Sequence, residues 1–96
     1  MMTDVEAVPA QDPFVTQTRA RITEADERIL DAVNDRLGLV ASLRAYKEAN
    51  GLPLIDAARE ESLIRALSER NAGPLSEEGV AELFTFVLDL VKREVF

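Results

Sequence analysis

From Pro13 onward, apolar residues recur at the three-to-four-residue spacing that lines one side of an α-helix, and the interruptions cluster at a few places. Asp12 is a favoured N-cap residue and Pro13 a favoured first helical residue, and no further Pro or Gly appears until Gly38. A long first helix is therefore expected from Pro13, or within a turn of it, to Asn50. There Gly51 can take a left-handed conformation, and Pro53 forbids continuation. Gly38 costs about 1 kcal/mol relative to Ala in a helix interior but does not end a helix by itself. Asp56 is placed to cap a second helix, from about Ala57 to Asn71, with Glu60 and Glu61 in its first turns. The segment Asn71-Ala72-Gly73-Pro74 is a breaker. Ser76 caps a third helix that runs to the C-terminus, with Glu77 and Glu78 at the positive end of its dipole. No alternating run of β-branched and aromatic residues competes as a strand. Residues 1–12 have no sustained period and are expected to be a loose tail, with 13–96 as one helical domain. The expected fold class is all-α, with one long helix and two shorter ones.

This inequality of lengths has a geometric consequence. A helix from Pro13 to Asn50 extends roughly 57 Å at 1.5 Å per residue, whereas a compact globule of this size has a radius of gyration of about 12 to 13 Å. The helix is expected to protrude and to carry apolar side chains with it, which favours a homodimer with the long helices packed together. The alternative is a helix broken near Gly38 and folded back as a monomeric bundle.

A heptad frame over the long helix shows where the pattern departs from simple amphipathicity. One seam position holds Val15, Ile22, Ile29, Arg36 and Leu43, and the other holds Arg19, Asp26, Val33, Val40 and Lys47. Four of these ten residues are charged, and an ion among apolar neighbours is costly unless it is paired or meets a polar ligand. Arg36 and Lys47 are eleven residues apart, about three helical turns, so both lie on one face roughly 16 Å apart. A small anion with two separated acidic groups can lie between them. Any one of these cations alone is equally a side chain snorkelling at the edge of an apolar stripe. Arg59 and Glu60, side by side in the first turn of the second helix, add a cation and an acid beside the free amides of a helix N-terminus.

Composition restricts the chemistry further. The 96 residues contain no Cys, His or Trp, which removes thiolate and imidazole nucleophiles, Ser-His-Asp triads and ordinary zinc sites. No metal or cofactor is expected. A net charge of −7 argues against nucleic acid and anionic membrane surfaces as partners, and no apolar run is long enough to span a bilayer. The first fifteen residues carry acids and no basic cluster ahead of an apolar core, unlike a signal peptide, so a cytoplasmic protein is expected.

The stretch TRARITEADERILDAVNDR at residues 18–36, Lys47 eleven residues later, and LPLIDAARE at residues 52–60 resemble the AroQ-class, all-helical (type II) chorismate mutases. The ladder Arg19, Asp26, Arg36, Lys47, Asp56, Arg59, Glu60 follows the family pattern without a gap, and the resemblance covers about residue 16 to the end. It implies an interlocked helical homodimer with two equivalent active sites, Arg19 being supplied in trans. It also implies the activity, the rearrangement of chorismate to prephenate in phenylalanine and tyrosine biosynthesis. That pericyclic step requires no nucleophile, proton shuttle or metal, only a reactive conformer held in place and stabilisation of charge on the ether oxygen. By the same resemblance, Arg19, Arg36 and Arg59 bind carboxylates, and Lys47 donates to the ether oxygen and a carboxylate. Glu60 and the start of the second helix at Asp56 hold the ring hydroxyl. Asp26 has no ligand role and is expected to neutralise nearby Arg charge.

The third helix departs from the family pattern. Many members carry a Ser and, four residues on, a Gln or Glu near its end, where alignment on Glu82-Leu83-Phe84 puts Val91 and Val95; a shift of one residue would bring in Glu94. The departure implies either a weak mutase or one whose C-terminus is rearranged by a partner such as a shikimate-pathway enzyme. Two alternatives stay open at this point: an isochorismate-pyruvate lyase of the same fold, and a non-catalytic regulatory subunit that retains the ligand site.

Overall fold

A computed structural model describes residues 12–96, so the expected tail lies outside the described residues apart from Asp12. Three α-helices make up the described chain: α1 (Pro13–Ala49), α2 (Ala57–Arg70) and α3 (Glu77–Val95). No strand occurs among the described residues.

Local chemistry accounts for each boundary. The Thr16 amide donates to the Asp12 carbonyl at 3.0 Å, the first bond of the helix, and the Val15 amide donates to Asp12 Oδ1 at 3.1 Å, so the Asp12 side chain satisfies one of the free donors that open α1. The 37-residue helix then passes through Gly38 without interruption, so the break considered near that residue does not occur. Gly51 takes φ +64°, and the Leu52 amide reaches back to the Lys47 carbonyl at 2.9 Å, the bond that closes a left-handed C-terminal cap. The helix ends at Ala49, one residue short of the expected Asn50. Asn50 belongs to the cap itself, its side-chain amide donating to the Tyr46 carbonyl at 2.8 Å.

Asp56 caps α2 by accepting from the Arg59 amide at 3.1 Å, and Ser76 caps α3 by accepting from the Gly79 amide at 3.0 Å. Asn71, expected as the last residue of the second helix, instead follows it. Its side chain donates to the Leu75 carbonyl at 2.7 Å and accepts from the Gly73 amide at 3.1 Å, which ties the connection to α3. Gly73 supplies the left-handed φ of +84° that this turn requires.

The chain divides into two compact units, one ending at Asn34 and the other running Asp35–Phe96. The first contains the N-terminal part of α1. In the second, α2 packs against α3, and the buried residues Val80, Val87 and Val91 repeat along a single face of α3. Apart from these three valines, no described residue is buried. Large apolar side chains remain exposed throughout, among them the seam residues Ile22, Ile29 and Leu43. No helix of the described chain is long and apolar enough to cross a membrane.

Candidate active site

Residues Arg36, Val40, Leu43, Arg44 and Lys47 of α1 form one wall of a cavity of about 190 Å³ within the second unit. They fall at helical spacing, which is why residues up to eleven positions apart share one wall. Asp56, Arg59 and Glu60, at the start of α2, form a second wall, and Leu88, Val91 and Lys92 of α3, with Phe96 just after it, form the third. Five of the expected site residues, Arg36, Lys47, Asp56, Arg59 and Glu60, are therefore brought together. Arg19 lies in the first unit and does not line this cavity. Asp26 also lies in the first unit and is exposed.

The cavity is cationic although the chain is acidic. Arg36, Arg44, Lys47, Arg59 and Lys92 face two carboxylates, Asp56 and Glu60. Both carboxylates are already engaged. Asp56 Oδ1 accepts from the Arg59 amide in capping α2, and Glu60 Oε1 accepts from Lys92 Nζ at 3.1 Å across the α2–α3 packing. Two guanidinium nitrogens in the cavity wall lack such a partner: Arg36 Nη1 and Arg44 Nε are buried and have no hydrogen-bond partner among the described residues. A buried guanidinium nitrogen left in this state is costly, and an acceptor entering the cavity removes the cost.

Arg44, Lys92 and Phe96 join the cavity wall without any signal in the sequence pattern. Arg44 Nη1 donates to the Val95 carbonyl at 2.8 Å, Nη2 lies 3.4 Å from Glu48 Oε2, and the guanidinium sits 5.4 Å from the Phe96 ring centre. This is a cation–π contact that fixes the last turn of α3 against α1. Of the two α3 positions singled out by alignment, Val91 lines the cavity as a buried side chain. Val95 contributes its carbonyl to Arg44 instead. Glu94 is exposed and pairs with the neighbouring Arg93 at 3.3 Å. The polar group that α3 brings to the cavity is the ammonium of Lys92.

A search of curated proteins gives no match. Among solved structures, a chorismate mutase (form II) from Thermus thermophilus is similar, with 28% sequence identity and a TM-score of 0.75. The similarity covers 85% of this chain and 98% of that one. Residues 18–94 match the profile of the family described as chorismate mutase type II, a span that includes α2 and the whole cavity wall apart from Phe96. The chain belongs to the type II chorismate mutase family.

Proposed function

We propose that the cavity is the active site of a chorismate mutase and that its cations hold chorismate, a flexible dicarboxylate, in the compact shape from which it rearranges to prephenate. The observation that carries this reading is a cavity lined by five cations, Arg36, Arg44, Lys47, Arg59 and Lys92, in which two guanidinium nitrogens, Arg36 Nη1 and Arg44 Nε, are buried without a partner among the described residues. A donor buried without an acceptor fits a site whose acceptor arrives with the ligand.

The rearrangement breaks the ether C–O bond as a C–C bond forms, and no proton changes place. The protein therefore acts by conformation and charge. Arg36 and Arg59 take the two carboxylates, where the fork of a guanidinium can bind both oxygens in a way an ammonium cannot. Lys47 donates to the ether oxygen as negative charge grows on it, an interaction stronger in the transition state than in the ground state. Glu60 accepts from the ring hydroxyl near the N-terminus of α2. Arg19 of the partner subunit completes the site in a homodimer. The exposed apolar residues of α1, such as Ile22, Ile29 and Leu39, support such an association.

The test is ultraviolet measurement of chorismate consumption with identification of the product. Prephenate is expected, and Arg36→Ala or Lys47→Ala each lowers kcat/KM by about 10²- to 10³-fold, the scale of one lost donor to developing charge. Release of pyruvate and salicylate, or variants as active as wild type, would contradict the proposal.

A further inference from the structure

Lys92 and Glu60 occupy a boundary in the structure. Both line the cavity described above, and both also line a second cavity of about 230 Å³ between α2 and α3, whose walls include Glu61 and Asp89. The ion pair Lys92 Nζ–Glu60 Oε1, at 3.1 Å, lies in the partition between these two spaces. Neither side chain is fully exposed, at 39% for Lys92 and 27% for Glu60. A glutamate in such a partition can turn its carboxylate towards either space, because three side-chain torsions separate it from the backbone. It also places a negative charge in a cavity whose ligand is anionic, which opposes binding unless a cation offsets it.

Building on the mutase reading of the first cavity, we propose that Lys92 is a positioning residue that fixes Glu60 as the acceptor of the substrate's ring hydroxyl. Holding Oε1 leaves Oε2 for that hydroxyl, and the ammonium offsets the carboxylate charge. Without Lys92 the carboxylate is free to leave the partition, and the dicarboxylate substrate meets an uncompensated anion. The hydroxyl is not a reacting group. Its contact is therefore made equally in ground and transition states, and its loss appears in KM rather than kcat.

The experiment is a double-mutant cycle in the full chain. Lys92→Met is expected to raise the KM for chorismate about tenfold, the scale of one charge-assisted hydrogen bond, with kcat within about twofold of wild type. Lys92→Arg, which can keep the pair, is expected to restore most of the affinity. In a Glu60→Gln background, Lys92→Met is expected to have little further effect on KM, because Lys92 acts through Glu60. Additive losses in the two backgrounds, or a fall in kcat with KM unchanged, would overturn the role of Lys92 while leaving the mutase reading intact. Wild-type protein that does not consume chorismate would overturn both. Thermal melting of each variant separates loss of fold from loss of binding, and a Lys92→Arg protein that is folded yet as impaired as Lys92→Met also counts against the proposal.

Discussion

A guanidinium binds a carboxylate through two parallel donors, and the geometry of Arg36 depends on that fork. Its buried Nη1 has no partner among the described residues, so it carries a cost of desolvation that an acceptor on a ligand would relieve. Arg36→Lys preserves the charge but not the fork. It is expected to lower kcat/KM by about tenfold to a hundredfold, less than removal of the cation altogether, as steady-state kinetics with chorismate would show. Arg36 and Lys47 were legible in the sequence because a charge in an apolar seam departs from its local pattern. Arg44 was not, since it lies one position after Leu43 and a seam of two heptad positions is narrower than the stripe a helix buries in a globular fold. Lys92 and Phe96 were hidden for a different reason. Their partners, Glu60 and Arg44, are distant in sequence, and only the packing of three helices brings them together.

Helix limits depend on local chemistry, and at this scale they are legible in the sequence almost to the residue. Asp12, Gly51, Asp56 and Ser76 all perform the expected capping roles. The two differences, Asn50 and Asn71, are asparagines whose side chains bond to nearby backbone and so serve a turn better than a helix interior. Substitutions at these points have calculable directions. Gly51→Ala forces a Cβ into a left-handed backbone and is expected to destabilise the protein by about 1 kcal/mol in urea denaturation. Asp56→Ala is expected to cost about 1 kcal/mol in the same measurement. It is also expected to raise the KM for chorismate, because Arg59 and Glu60 stand in the turn that this cap organises. Gly38, in the interior of α1, has open space where a Cβ would stand. Gly38→Ala is therefore expected to stabilise the chain by about 0.5 to 1 kcal/mol.

For the molecule as a whole, the sign of the total charge misleads about the ligand. The chain carries −7, yet five of its eleven Lys and Arg residues line one cavity. Raising the ionic strength is accordingly expected to raise KM while leaving kcat nearly constant, as salt screens the attraction between the cations and a dianionic substrate. The hydrophobic residues do not close into a core in the same way, since among the described residues only Val80, Val87 and Val91 are fully buried, while Leu39, Tyr46 and Phe86 are each more than half exposed. These three valines and the half-buried apolar residues around them leave much of the described apolar surface in water. On the proposed reading, a second copy covers that surface. Leu39→Asp is then expected to shift sedimentation velocity from dimer towards monomer and to lower the melting temperature together. The scarcity of buried residues also bears on how the enzyme responds to its own abundance. If cohesion of the fold is supplied by association, dilution removes structure and turnover in one step. Specific activity then becomes a function of protein concentration, and a cell that makes too little of this chain loses more than a proportionate share of the flux it carries.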